Sequence, residues 1–127
     1  GYGPHESYID KHLASEYGEF DSLAEKEYFR YEKPQESGSH FGTTELMLCG
    51  GMKIVAQKPF SFSVLPYSAQ TIAKAKHDFD LCEDGNVYIS LDIAMSGVGS
   101  NSCGPALAEE YRAPKEGNNK FRILLHE

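Results

Sequence analysis

Apolar and polar positions alternate most clearly in the second half of the chain. Val87, Ile89, Leu91, Ile93 and Met95 alternate with Tyr88, Ser90, Asp92 and Ala94, the two-residue period of a β-strand. This run predicts the best strand of the protein, with Val87, Ile89, Leu91 and Ile93 on one buried face. Phe60, Phe62 and Val64 alternate with Ser61, Ser63 and Leu65 and predict a half-buried strand. Phe121, Ile123 and Leu125 alternate with Arg122 and Leu124 and predict a last one. Residues 45–49 and 52–57 flank Gly50-Gly51, which reads as a hairpin. Asp84-Gly85-Asn86 signals a turn before the long strand.

One helix is expected, over residues 69–76. Ser68 is a good N-cap, good helix formers follow it, and Tyr67 and Ile72 stand where a hydrophobic staple places them. The first forty residues differ. They hold nine of the nineteen acidic residues, four Lys or Arg, and five of the eight tyrosines. Their periodicity is poor. Tyr8, Ile9, Leu13 and Tyr17 suggest a helical turn or two, within loops and short elements that wrap a sheet. The elements together predict an all-β fold, an antiparallel β-sandwich with one short helix. No repeat, low-complexity tract or internal linker divides the chain, so residues 1–127 are expected to form a single domain.

Composition narrows the function classes. A length of 127 residues can bury a moderate core. A net charge of −7 argues against nucleic acid and anionic membranes as partners. No apolar run reaches the length of a membrane span or a signal-peptide core. Cys49, Cys82 and Cys103 are an odd set without CxxC spacing. That argues against a disulfide framework or zinc and points to a reducing, cytoplasmic setting. Cys49 and Cys82 are read as buried thiols. The histidines at 5, 12, 40, 77 and 126 form no HxH or HxxxH pair, so no local metal site is expected. His40 is read as a solvated loop histidine.

The densest candidate chemistry lies in residues 95–112. Gly97, Gly99, Gly104 and Pro105 bracket Asn101-Ser102-Cys103 in a loop of small residues, which lets backbone approach a partner closely. Met95, Gly97, Gly99, Asn101, Ser102, Cys103, Pro105, Glu110 and Tyr111 resemble a run in the C-terminal domain of family 2 β-galactosidases. Three other segments resemble that family in the same order. Gly3-Pro4, Glu6, Tyr8 and Asp10 match its Gly-Pro-x-Glu-x-Tyr-x-Asp segment. Tyr31, Pro34-Gln35-Glu36 and Gly38 match its Tyr-x-x-Pro-Gln-Glu-x-Gly segment, and Phe60, Phe62 and Tyr67 its Phe-x-Phe-x-x-x-x-Tyr strand. Four ordered motifs span nearly the whole chain.

The resemblance implies the C-terminal half of the large supersandwich, or small-chain, domain, similar in fold to galactose mutarotase. It implies a parent that is a retaining hydrolase of terminal β-D-galactosides such as lactose. Half of a sandwich leaves strand edges and apolar surface uncovered, so a homo-oligomer is also expected. The parent's glutamate pair, Mg²⁺ and often Na⁺ lie in a catalytic region outside this chain. The chain, which does not begin with Met, is then expected to be part of something larger, catalytically inactive alone. Its role is to complete the fold and line the rim of the active site with Cys103, Asn101 and Ser102. The position of Cys103 is often Trp in that family. Cys103 is either a residue at the sugar rim or a small thiol packing the loop. No His, Lys or Arg neighbours it in sequence to activate it as a nucleophile.

Glycosidases need two carboxyl groups across one bond. The adjacent pair Glu109-Glu110 does not frame such a bond if it lies on a strand, where neighbours face opposite ways. Glu36 is read as a structural carboxylate capping amides near Pro34 and Gly38, and Glu6 likewise. The alternative is a freestanding carbohydrate-binding sandwich with stacking surfaces from Tyr88 and the early tyrosines. A mutarotase-like epimerase is disfavoured by the scattered histidines.

Overall fold

The computed structural model describes residues 1–99 and 104–125. It is mostly β, with two antiparallel sheets in a sandwich-like arrangement. In chain order the elements are β1 (Tyr2–Gly3), β2 (Glu16–Tyr17), α1 (Ala24–Glu27), β3 (His40–Leu48), β4 (Met52–Leu65), α2 (Ala69–Lys74), β5 (Tyr88–Asp92) and β6 (Phe121–Leu125). Short 3-10 turns lie at Asp78–Asp80 and Glu109–Tyr111. The small sheet pairs β1 with β2, and the large one is built on β4.

The fourteen-residue β4 organises the large sheet. It pairs with β3 through the predicted Gly50-Gly51 hairpin, both of whose glycines have positive φ. Its first half pairs with β6, Met52 opposite Leu125 and Ala56 opposite Phe121. Its second half pairs with β5, Ser61 opposite Asp92 and Leu65 opposite Tyr88. Residues directly opposite in an antiparallel pair share a face. Leu46, Ile54, Phe60, Phe62, Val64, Leu91 and Phe121 therefore gather into one apolar cluster. Ser61, Ser63 and Leu65 face the other way.

The coverage of those two faces departs from the simple expectation. The serine face is the more completely enclosed: Ser61 is 6% and Ser63 5% exposed. The first forty residues wrap it, with Tyr28 packing on Leu65, Tyr67 and Ile72. Small serines let that wrap come close. The apolar face is enclosed only at its centre, around Leu46, Ile54 and Phe60. On its flanks Val87, Ile89, Ile93, Ile123 and Leu125 are exposed, from 41% at Ile89 to 72% at Leu125. The expected buried face of residues 87–93 is thus open to solvent apart from Leu91, which is half-buried. The regular strand is also shorter than the alternating run, because only Tyr88–Asp92 find partners on β4.

Helix α2 forms where the sequence placed it. The Ser68 side chain accepts from the Thr71 amide at 3.0 Å, and the staple residues Tyr67 and Ile72 meet in one buried cluster. The helix stops at Lys74, two residues early, and α1 is a second helical turn that was not expected. The helical reading of residues 8–17 is wrong. Tyr8 is buried and bridges Lys11, Leu13 is almost fully exposed, and Glu16–Tyr17 pairs as β2. Tertiary pairing overrides a weak local pattern there. Cys49 and Cys82 are exposed free thiols rather than buried ones: Cys49 sits at the turn that ends β3, and Cys82 in the irregular stretch between the 3-10 turn of Asp78–Asp80 and β5, so neither belongs to a strand or helix that packs on the core.

Candidate functional site

The motifs that stand far apart in sequence converge in space, and two carboxylates of the first motif make the joins. The chain enters through Gly3-Pro4, a cis peptide, and turns so that Ser7 is wholly buried. The Ser7 amide donates to the Ser39 carbonyl at 2.7 Å, and the Phe41 amide donates to Ser7 Oγ at 2.9 Å. This lashes the first motif to the start of β3 and fixes the two carboxylates on either side of it.

Glu6 is the centre of a polar knot. Its Oε2 accepts from the Gly38 amide at 3.0 Å and from the Tyr8 hydroxyl at 3.2 Å. Its Oε1 accepts from Lys11 Nζ at 2.6 Å and from the Tyr31 hydroxyl. Burial works against the charge, but these hydrogen bonds outweigh it and hold the Glu6 carboxyl below the ordinary range. Gly38 has φ +72°, and a Cβ there would lie 2.3 Å from the Glu27 carbonyl, so the second motif needs glycine at this point. Capping of the Gly38 amide falls to Glu6. Glu36, expected to share that role, is exposed. Its carboxyl is pushed up, by partial desolvation and then by the charges of Asp92 and Glu6.

Asp10 makes the second join. Its Oδ1 accepts from the Val98 amide at 3.1 Å and its Oδ2 from the Gly99 amide at 2.9 Å. A Cβ on Gly97 would fall 2.4 Å from the Asp10 carboxylate, so the carboxylate occupies the space that any side chain at 97 would need. On the other side of the loop stem, the Gly97 amide donates to the Tyr111 carbonyl at 2.8 Å, and the Ala113 amide donates to Ser96 Oγ at 2.9 Å. Ser39 Oγ reaches Met95 Sδ at 3.5 Å, tying the second motif to the fourth. The third motif joins through Tyr67, edge-on to Tyr28, and Phe62, stacked on His40.

His40 is not a solvated loop residue. It opens β3, is half-buried, and its Nε2 pairs with Glu27 at 2.5 Å. Burial again opposes the Glu27 charge, and the bonds to His40 and Ser22 overcome it, lowering its pKa. Glu109 and Glu110 sit on an exposed 3-10 turn rather than a strand. Tyr88 spends its hydroxyl on Asp84 at 2.5 Å.

Two concavities flank the junction. A cavity of about 200 Å³ lies between Ile9, Phe41, Phe60, Ile93, Met95 and Arg112. A broad groove of about 860 Å³ runs past His5, Glu6, Asp10, Lys11, Phe29 and Tyr31. Asn101, Ser102 and Cys103, the residues singled out from the sequence, lie outside the described residues. Their immediate stem, through Gly99, is the part that Asp10 holds. Among the described residues, no group of three or more His, Cys, Asp or Glu side chains is placed to hold a metal ion. Among the described residues, no helix is long and apolar enough to cross a membrane.

Sequence reasoning read Glu6 as a cap of amides near Gly38, and the Gly38 amide does donate to it, but it missed what Asp10 binds. The Asp10 bonds to Val98 and Gly99 cross 88 and 89 residues, and no local spacing announces them. The available signal was chemical: a loop with glycines at 97 and 99 has bare amides that want an acceptor.

Comparison with known proteins agrees with this arrangement. The sequence profile of the family described as Beta galactosidase small chain matches residues 1–125. A β-galactosidase of Actinobacillus pleuropneumoniae is 41% identical over 125 residues, covering 98% of this chain and 12% of the relative. One from Staphylococcus xylosus is 36% identical over 115 residues, covering 88% of the chain and 12% of the relative. One from Kluyveromyces lactis is 37% identical over 124 residues, covering 94% of the chain and 12% of the relative. The chain thus spans about an eighth of the length of these relatives. With four motifs folded against one another and a profile match along nearly its whole length, this chain belongs to the β-galactosidase small chain family.

Proposed function

We propose that this chain is a non-catalytic domain that completes a retaining β-galactosidase. It is the C-terminal half of the supersandwich domain, and residues 1–127 act as one unit. The parent hydrolyses terminal β-D-galactosides such as lactose in the cytoplasm, as a homo-oligomer, with no nucleic-acid or membrane partner. The catalytic carboxylates belong to the parent's hydrolase region. The observation that carries this reading is the open apolar face. Ile89 and Ile93 beside β4's second half, and Ile123 and Leu125 beside its first half, are large side chains left in water. A contiguous apolar sheet face asks for a cover, and in this reading the rest of the parent, beginning with the other half of the supersandwich domain, supplies it.

The loop of residues 97–105 is the proposed contribution to the site. Asn101, Ser102 and Cys103 line the rim of the sugar pocket, at the end of a stem that Asp10 anchors. Cys103 gives a galactoside a smaller surface than an aromatic residue at the same place. Cys103→Trp then adds one stacking contact, worth about 0.5–2 kcal/mol, and shifts sugar affinity accordingly.

The test mixes this chain with a family β-galactosidase shortened by the segment that matches it. Each is assayed alone and together on a chromogenic galactoside. Hydrolysis is expected only from the mixture. Turnover by the pure chain would overturn the non-catalytic reading, and a mixture that stays inactive and unassociated would overturn the proposed partner.

A further inference from the structure

We infer that Asp10 is a positioning residue for the parent's sugar site, acting through the glycine loop. This rests on the reading of residues 101–103 as the rim and adds to it the group that sets their approach.

The geometry is specific to a clamp. One carboxylate takes two consecutive amides, Val98 at 3.1 Å and Gly99 at 2.9 Å, one on each oxygen. Bidentate acceptance by an ionised group fixes direction as well as distance, and such bonds are about twice as strong as neutral ones. The room for the clamp is made by glycine: a methyl at 97 would overlap the carboxylate at 2.4 Å, and one at 99 would press on Oδ2 at 3.1 Å. The opposite side of the stem is pinned independently, by Tyr111 at the Gly97 amide and by Ser96 at the Ala113 amide. The stem is thus held from both sides as far as Gly99. Asp10 itself is held by the Tyr8–Lys11 bridge, whose two backbone bonds are 2.9 and 3.0 Å. Asp10 is also the last residue of the first motif and Gly97-x-Gly99 the first glycines of the fourth. The clamp explains why those residue types stand together in one protein.

A structural staple and a positioning residue are told apart by what moves. In the complete enzyme, Asp10→Ala is expected to raise hydrogen exchange at the Val98 and Gly99 amides at least tenfold. It should raise KM for a chromogenic galactoside by roughly three- to tenfold with kcat changed less than twofold. Asp10→Asn keeps the shape and one acceptor oxygen, and should fall between Asp10→Ala and the parent in both readouts; it also serves if Asp10→Ala does not fold. Cys103→Trp should shift KM in the Asp10 background, and the shift should shrink by half or more beside Asp10→Ala. Unchanged exchange at 98 and 99 overturns the clamp. Raised exchange with unchanged KM, while Cys103→Trp still shifts KM, overturns the positioning role and leaves the rim reading standing. A full Cys103→Trp shift beside Asp10→Ala does the same. If neither Cys103→Trp nor Asp10→Ala moves KM, the rim reading itself falls, and this inference with it.

Discussion

Replacing Glu6 by Gln should destabilise the chain by about 2 kcal/mol, although the two side chains have the same shape. Glu6 accepts from four donors: the Gly38 amide, the Tyr8 and Tyr31 hydroxyls and Lys11 Nζ. Glutamine offers one acceptor oxygen and one amide donor. If the amide faces Gly38, a buried N–H is stranded, costing about 1–3 kcal/mol. If it faces outward, it meets the Lys11 ammonium, whose side chain is half exposed, so losing that pair costs about 1 kcal/mol or less. The outward orientation is therefore preferred. To its cost must be added the loss of charge from the remaining bonds, which drops each to about half its strength. The sum is about 2 kcal/mol, and Glu6→Ala, which strands every donor, should reach about 4 kcal/mol. Urea unfolding measures both. The chain has no Trp, so tyrosine fluorescence and far-ultraviolet circular dichroism report unfolding. With a slope of about 2 kcal/mol per molar urea, Glu6→Gln lowers the midpoint by about 1 M. Protein concentration must be held fixed, since any association shifts the midpoint. A midpoint within about 0.2 M of the parent would refute the knot as a source of stability.

Glu36→Gln should do the opposite and raise the midpoint slightly, by a few tenths of a kcal/mol at neutral pH, because it removes an exposed and screened charge facing Asp92 and Glu6. The pH dependence follows in sign. Glu6 and Glu27 have depressed folded pKa values, so their stabilisation is present above the unfolded value near 4.5 and is lost as pH falls through the lower folded values. Glu36 and Asp92 have raised values, so their contribution is present below their unfolded values of 4.5 and 3.8 and is lost as pH rises through the folded ones. As pH falls below about 4.5, the loss from Glu6 and Glu27 sets in while the gain from Glu36 is already complete, so urea midpoints should fall there, and fall less in Glu6→Gln. Ile89→Asp and Ile123→Asp should reduce association of the chain in sedimentation while leaving its circular dichroism unchanged; unfolding instead would place these residues in the core. Cys49 and Cys82, being exposed, should react with a thiol reagent in the native chain about as fast as in urea.

Much of the β framework was legible locally. The alternation of Phe60–Ser61–Phe62–Ser63, the Gly50-Gly51 turn and the Ser68 cap each depend on a few neighbouring residues, and all appear in the structure. The resemblance of four ordered segments also pointed to the family before any fold was in view. The candidate site was legible only in part. Asn101, Ser102 and Cys103 were named from the loop's residues, but the groups that hold the loop's stem were not, because Asp10 stands 88 and 89 residues away in the chain from the amides it accepts from. His40 shows the same limit from the other side. The residues before it, Gly38 and Ser39, are small, yet Glu27 and Phe62, distant in the chain, make it a half-buried ion-pair partner.

The sequence by itself determined the period of each strand, the turns and the helix cap, because these follow from backbone angles and side chains within one short stretch. Tertiary structure alone decided which face of the sheet was covered. The wrap of the first forty residues, with Tyr28 packed on Leu65, Tyr67 and Ile72, falls on the serine side of β4 and leaves Ile89, Ile93, Ile123 and Leu125 in water. Alternation says that two faces differ, but burial is a property of whatever distant segment lands on a face, and a two-residue period contains no information about that.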